Sequence, residues 1–286
     1  MQNKIKRPLL WSTAIFFMMA FSFPAADHFY AQSMPDNNFD QCSIENTTFK
    51  AGEEVVYKLY YNWGFMWVAA GEATFRVKES GNQFHYIVDG RTYKSYDWAF
   101  KVRDKIESYV DKTSLLPTRS IRDISEGKYQ LYENVTFDQE NNSAKYVRGK
   151  TKEKTWKENH EVSECIHDLL SAMYFARNIN FSTMPKQQSF PVKIFLDREE
   201  YPIKVKSNGK VAEKKIKGMG TYNTVELSLS LIAGEVFKEG DEMKIWVSDD
   251  DNRVPLMIET PIAVGSVMVV LKSYKGLKYP FTAKVD

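Results

Sequence analysis

From residue 54 almost to its end the chain repeats one pattern: a run rich in aromatic and β-branched residues, then a short cluster of Gly, Asn, Asp, Ser or Glu. Runs of that length and composition, closed by turn-formers, are the grammar of an antiparallel meander. Val55–Tyr61 leads through Trp63-Gly64-Phe65 into a second run carrying Ala69, Gly71, Ala73, Phe75 and Val77, which predicts a hairpin. Further strands are expected near 84–93, 102–110, 118–124, 128–138 and 143–149, then near 189–197, 200–207, 210–217, 221–229, 242–249, 253–260 and 265–273. Ser207-Asn208-Gly209-Lys210 has the chemistry of a hairpin turn, and the charged segment 150–161 that of a solvated edge or loop. Lys128-Tyr129-Gln130-Leu131-Tyr132-Glu133 alternates in polarity, as a sheet with one wet face requires.

A single segment breaks the rhythm. Ile166, Leu169, Leu170, Met173 and Tyr174 fall at helical spacing, which predicts a helix over 163–178 with Ser163 as its N-cap. A sheet of so many strands does not stay flat, because twist accumulates and exposed edges invite association. The predicted fold is therefore all-β and mainly antiparallel: a strongly curled sheet or incompletely closed β-barrel with one α-helix packed on it. The small residues of the second strand, Gly71 and Ala73 among them, either admit a close neighbour or let the sheet bend.

The first residues belong to a different regime. Lys4, Lys6 and Arg7 precede an apolar stretch from Leu9 to Phe23, the layout of a secretory signal peptide and shorter than the roughly 20 residues of a membrane-spanning helix. Two cleavage points fit, near Ala26 or after Gln32, and we take 1–32 as the signal peptide. Residues 33–48 are then a flexible arm and 49–286 a single β-rich domain, exported to the periplasm or the outer membrane and without a transmembrane anchor. Phe39, Asp40 and Gln41 are the wrong residues to precede a lipid-modified Cys42. Loss of residues 1–32 brings the formal charge from +2 to zero, which argues against nucleic acid as a partner. Cys42 and Cys165 are the only cysteines; in an oxidising compartment they can form one bridge, or stay as two thiols.

Residues able to carry chemistry are sparse. His85, His160 and His167 are too scattered for a metal cluster. His167, Asp168 and Ser171 have the composition of a triad, but neighbours on a helix point about 100° apart, whereas a triad needs contacts in series. Asp168, Ser171 and Arg177 fit better as groups that pair with strand residues. Asp249-Asp250-Asp251-Asn252 lacks the alternating spacing of a calcium loop and reads as a hairpin tip. No catalytic residue, metal site or cofactor is expected. Aromatics are abundant, and two clusters, 63–67 and 96–100, fall at turns, where exposed apolar groups need a reason.

Several separated motifs resemble one family of exported bacterial proteins, the domain of unknown function numbered 3108. They are Phe49-x-Ala51-Gly52-Glu53-x-Val55-x-Tyr57, Ala70-Gly71-Glu72-Ala73 and Asp168-Leu169-Leu170-Ser171-Ala172-x-Tyr174-x-x-Arg177. Trp246-Val247-Ser248-Asp249-Asp250-x-Asn252-Arg253-Val254-Pro255 and Gly265-Ser266-Val267 complete the set. The resemblance implies an envelope-located β-rich domain and brings no activity or catalytic residue with it. A looser analogy is to the periplasmic lipoprotein-localisation factors, whose curled sheet holds acyl chains.

The leading functional expectation is a non-enzymatic envelope protein that binds a lipid, an acylated molecule or another apolar ligand between sheet and helix. Its lining residues would be Trp63, Phe65, Trp67, Gly71, Ala73, Met173 and Tyr174. An envelope protein-interaction or assembly factor using the aromatic turns is the alternative, and an enzyme acting on glycans through a carboxylate pair a further one. Facing carboxylates in an aromatic cleft would favour the enzyme; a cavity free of them would favour the lipid.

Overall fold

The computed structural model describes residues 42–63, 66–230, 241–262 and 265–285. The signal-peptide segment and most of the expected arm lie outside these residues. Fourteen strands form one antiparallel sheet: β1 (Glu54–Trp63), β2 (Met66–Ser80), β3 (Gln83–Thr92), β4 (Arg103–Asp111), β5 (Pro117–Glu126), β6 (Tyr129–Asp138), β7 (Ser143–Thr151) and β8 (Lys154–Glu161), then, beyond the helix α1 (Leu169–Arg177), β9 (Ser189–Leu196), β10 (Glu199–Ile216), β11 (Gly220–Ser230), β12 (Glu242–Ser248), β13 (Pro255–Pro261) and β14 (Ser266–Lys275). Every strand except β8 and β9 pairs with two neighbours, and β1 pairs with β14. The sheet therefore breaks in mid-chain, between β8 and β9, where α1 is inserted.

Alternation decides which face is buried. On β4, Asp104, Ile106, Ser108 and Val110 point inward, and on β5, Ser120, Arg122, Ile124 and Glu126 do so. The inner face curls far enough for the β9–β10 turn to reach the opposite side. Phe195 packs on Phe137, Tyr146 and His160 with ring centroids 5.4–6.2 Å apart. Asp197 accepts hydrogen bonds from Arg122 and Arg148, both of which also hold buried Glu133. Side chains thus stitch a seam that no backbone ladder closes: the sheet is an incompletely closed barrel.

The free edge of β9 is covered by the strand-like segment before α1: His167 N–H donates to Lys193 O, and Phe195 N–H to His167 O. That use of 165–167 explains why the helix begins at Leu169 instead of near Ser163. Asp168 is its cap, accepting from the N–H groups of Leu170 and Ser171, while Ser171 Oγ accepts from the Asp168 N–H. This reciprocal arrangement satisfies donors that a helix start otherwise leaves open. Cys165 is bonded to Cys42, with Cα atoms 4.8 Å apart. Thr47 and Thr48 donate to Asn178 Oδ1 at the far end of the helix, so residues 42–48, read from the sequence as part of a loose arm, are fastened at both ends of α1.

One local expectation changes. Ser207–Lys210 is not a hairpin turn, because β10 runs through it, with a register shift between Ser207 and Gly209. Gly209 has φ +92°, and a Gly at positive φ serves a bulge as readily as a turn. Residues 154–161 form a strand, and its charges suit an unpaired edge. The small residues of β2 make a bend: pairing with β1 skips Ala70, and a Cβ on Gly71 would lie 2.4 Å from Arg91 O on β3. The space beside Gly71 is filled by backbone.

Candidate functional site

The largest polar knot sits at one end of the barrel, where α1 ends. Arg177 donates from Nη1 to Glu53 Oε1 (2.6 Å) and from Nη2 to Glu53 Oε2 (3.1 Å) and Asn252 O (2.9 Å). Burial opposes charge on Arg177, but the Glu53 carboxylate outweighs it and holds the guanidinium above its usual range. Arg253 donates to the carbonyls of Arg177 and Asn178, capping the helix C-terminus with a cation as the helix dipole favours. The Asn252 side chain ties in Tyr279 and Pro280, and Asp250 accepts from the N–H groups of Asn252, Arg253 and Thr282. The stretch expected as a hairpin tip is one, joining β12 to β13, and it also clasps the helix. Glu53, Arg177, Asn252 and Arg253 come from three of the motifs singled out in the sequence, and their work here is structural.

His167, Asp168 and Ser171 do not form a triad. His167 Nδ1 lies 3.1 Å from Ser171 Oγ, but the Asp168 carboxylate goes to Ser108 on β4 and to the helix N-terminus. Burial lowers His167 to about 3, so it is neutral; burial raises Asp168 to about 6 against the pull of its hydrogen bonds. A pair of carboxyls, Asp104 and Glu126, lies inside the curl on β4 and β5. Burial, then the charge of Glu126, pushes Asp104 up to about 9.

Between α1 and the sheet, against strands β9–β13 and reaching Val55 and Tyr57 on β1 and Phe75 on β2, lies a cavity of about 440 Å³. Its sheet wall is built by alternation: Val192, Ile194 and Leu196 on β9; Tyr201, Ile203 and Val205 on β10; Val225, Leu227 and Leu229 on β11; Met243, Ile245 and Val247 on β12. Leu169, Ala172, Met173 and Ala176 supply the helix wall. From Met243 to Ser248 the wall extends five residues, about 17 Å of strand at 3.4 Å per residue. The apolar lining gives way at one end to Ser182, Lys210, Asp249, Asp250, Asp251 and Arg253. Asp249 accepts from Ser182 Oγ and pairs with Lys210 at 2.9 Å; burial raises its pKa, but these partners hold it below the usual carboxylate range.

Of the residues expected to line a site, Met173 and Tyr174 line this cavity. Trp67 is half-buried against the core on β2, Ala73 is buried in the core, and Gly71 abuts β3; none is on the cavity wall. Phe65 lies outside the described residues, as does the Trp63 side chain. The sheet wall was missed, although its signal is plain: four successive strands each carry three apolar residues at spacing two.

These features place the chain among β-barrel-like proteins: a meander curled nearly shut, plugged by a helix and hollow beside it. It belongs to the protein family of unknown function DUF3108, whose profile matches residues 56–272. The fold is similar to that of a crystal structure, the β-barrel-like protein of domain of unknown function DUF1849 from Brucella abortus. The match has a TM-score of 0.54 and 10% identity, covering 78% of this chain and 96% of that one. A candidate lipoprotein from Parabacteroides distasonis (TM-score 0.31, 10% identity, 82% of this chain and 99% of that) and a candidate exported protein with a YmcC-like fold from Bacteroides fragilis (TM-score 0.31, 9% identity, 81% and 99%) also match; at that level of superposition they add nothing to the fold argument. No curated protein matches. No helix among the described residues is long and apolar enough to cross a membrane.

Proposed function

We propose that this is a non-catalytic protein of the cell envelope, exported by its N-terminal signal, that holds an apolar or amphipathic ligand such as a lipid or acylated molecule. The observation that carries the reading is the cavity: about 440 Å³, within the roughly 300–1,000 Å³ of small-molecule sites, elongated along the strands, apolar in its length and charged at one end. A methylene moved from water into such a wall gains about 0.8 kcal/mol, so a chain of about ten carbons gains about 8 kcal/mol before ordering costs. The polar end, with Lys210 largely exposed, supplies donors and acceptors for a head group. The like-charged carboxyls Asp104 and Glu126 are buried elsewhere, and the carboxyls that do line the cavity, Asp249, Asp250 and Asp251, are neighbours on one turn at its polar end, with Asp249 held by Ser182 and Lys210 and Asp250 by backbone N–H groups.

The experiment is native mass spectrometry, with lipid extraction, of the protein purified from its own envelope without detergent, alongside titration with a fluorescent acyl probe. A stoichiometric co-purifying lipid and saturable probe uptake are expected. Ile245→Trp and Ala172→Phe, which fill the cavity from opposite walls, should abolish uptake while leaving the circular dichroism unchanged. A ligand-free chain that does not take up the probe overturns the reading.

A further inference from the structure

In an antiparallel meander alternate turns share an end, so the turns after β3, β5, β7 and β9 lie together with the first residue of β2, opposite the clasp of Glu53 and Arg177. Most of the exposed large apolar side chains among the described residues are at this end: Met66 (57% exposed), Tyr96 (37%), Trp98 (86%), Tyr129 (37%) and Trp156 (43%). Trp98 is not displayed by a loose loop. The turn that carries it begins with a 3-10 segment, Lys94–Tyr96. Asp97 beside it accepts from Thr92 Oγ1 at 2.9 Å and pairs with Arg103 at 2.6 Å. Phe100 packs onto Gly127, and Gly127 N–H donates to Lys101 O at 2.8 Å, fixing this turn to the next one. A held, solvent-facing tryptophan is an apolar cost that only contact with something else offsets.

Charge identifies the contact. The same turns expose Lys94, Lys101, Lys128, Lys150, Lys152 and Lys154. Their acids are largely engaged: Asp97 is paired, Glu126 is buried and Glu153 stands among lysines. In the β9–β10 turn Asp197 faces inward to Arg122 and Arg148, and just beyond it Glu200 accepts from Ser163 N–H. The turns after β3, β5 and β7 are together basic and aromatic. Trp and Tyr at head-group depth with lysines around them are the residues of a membrane interface.

We propose that this end docks on an anionic lipid surface, with Trp98 inserted among the head groups. Docking does not depend on what the cavity holds. It is tested by co-sedimentation of the whole protein with vesicles of phosphatidylcholine plus phosphatidylglycerol, and with vesicles of phosphatidylcholine alone. Binding is expected to the anionic vesicles only and to fall with salt. Trp98→Ala should weaken it at least about tenfold, from the area a tryptophan buries. Lys150→Gln, Lys152→Gln and Lys154→Gln should each cost about fivefold at low salt. All four side chains are exposed, so these variants fold. Failure to bind, equal binding to both vesicles, or binding indifferent to Trp98→Ala overturns the proposal. So does a cross-linked envelope protein lost in Trp98→Ala while vesicle binding is unchanged, which would make the surface a protein site.

Discussion

Replacing Arg177 with Met tests whether the polar knot at the end of α1 holds the helix on the sheet. Glu53 is fully buried, and Arg177 is its bidentate partner. Methionine fills similar space but strands a carboxylate among apolar groups, a loss of about 3–5 kcal/mol. Against a net stability of about 5–15 kcal/mol this is a large fraction, and it corresponds to a fall in Tm of about 10 °C. Urea unfolding followed by tryptophan fluorescence reads it as a lower midpoint with unchanged slope. Glu53→Leu/Arg177→Met, which removes both charges, should recover to within about 2 kcal/mol of the parent. A single variant within about 1 kcal/mol of the parent, or a double variant no better than the single, refutes the stranded-charge account.

Asp104, held to about 9, gives the opposite kind of test. With a folded pKa above the unfolded one, its contribution is complete below about pH 4 and is lost towards pH 9, so Asp104→Asn should stabilise the protein by a few kcal/mol at pH 8 and flatten the decline measured by thermal melts. The Cys42–Cys165 bond spans 123 residues, and Cys42→Ser/Cys165→Ser should lose about 4–5 kcal/mol by chain entropy. Reductant should lower the parent's melting temperature by the same amount and leave the variant unmoved.

The strands were legible because each is half-buried and alternates, and turn-formers mark their ends. What failed was any feature whose local chemistry serves two geometries. Asn208-Gly209 suits a hairpin and a bulge equally, and only the length of the neighbouring strands chooses between them. Helical spacing of apolar residues began at Ile166, but residues 165–167 cover the edge of β9, a demand set by the position of a strand that follows. The cavity wall was in the sequence as period-two apolar residues on β9–β12, yet identical alternation on β3 and β4 is filled by the core. Aromatic abundance drew attention to Trp67, which packs against the core and not on the cavity wall, because large rings mark burial of either kind.

The pairing of β1 with β14 carries a consequence for how the molecule is made. Glu54 meets Lys275, so the first strand to emerge waits for the last. The hairpins from β1 to β8 can form as they appear, but one border of that half-finished ribbon stays bare until β14 arrives, more than two hundred residues after β1. Contacts so distant in sequence are slow to form, and a bare border meanwhile recruits other chains. A chain built this way gains from being kept unfolded until its final segment is delivered, so truncation within β14 should harm yield far more than the few residues lost.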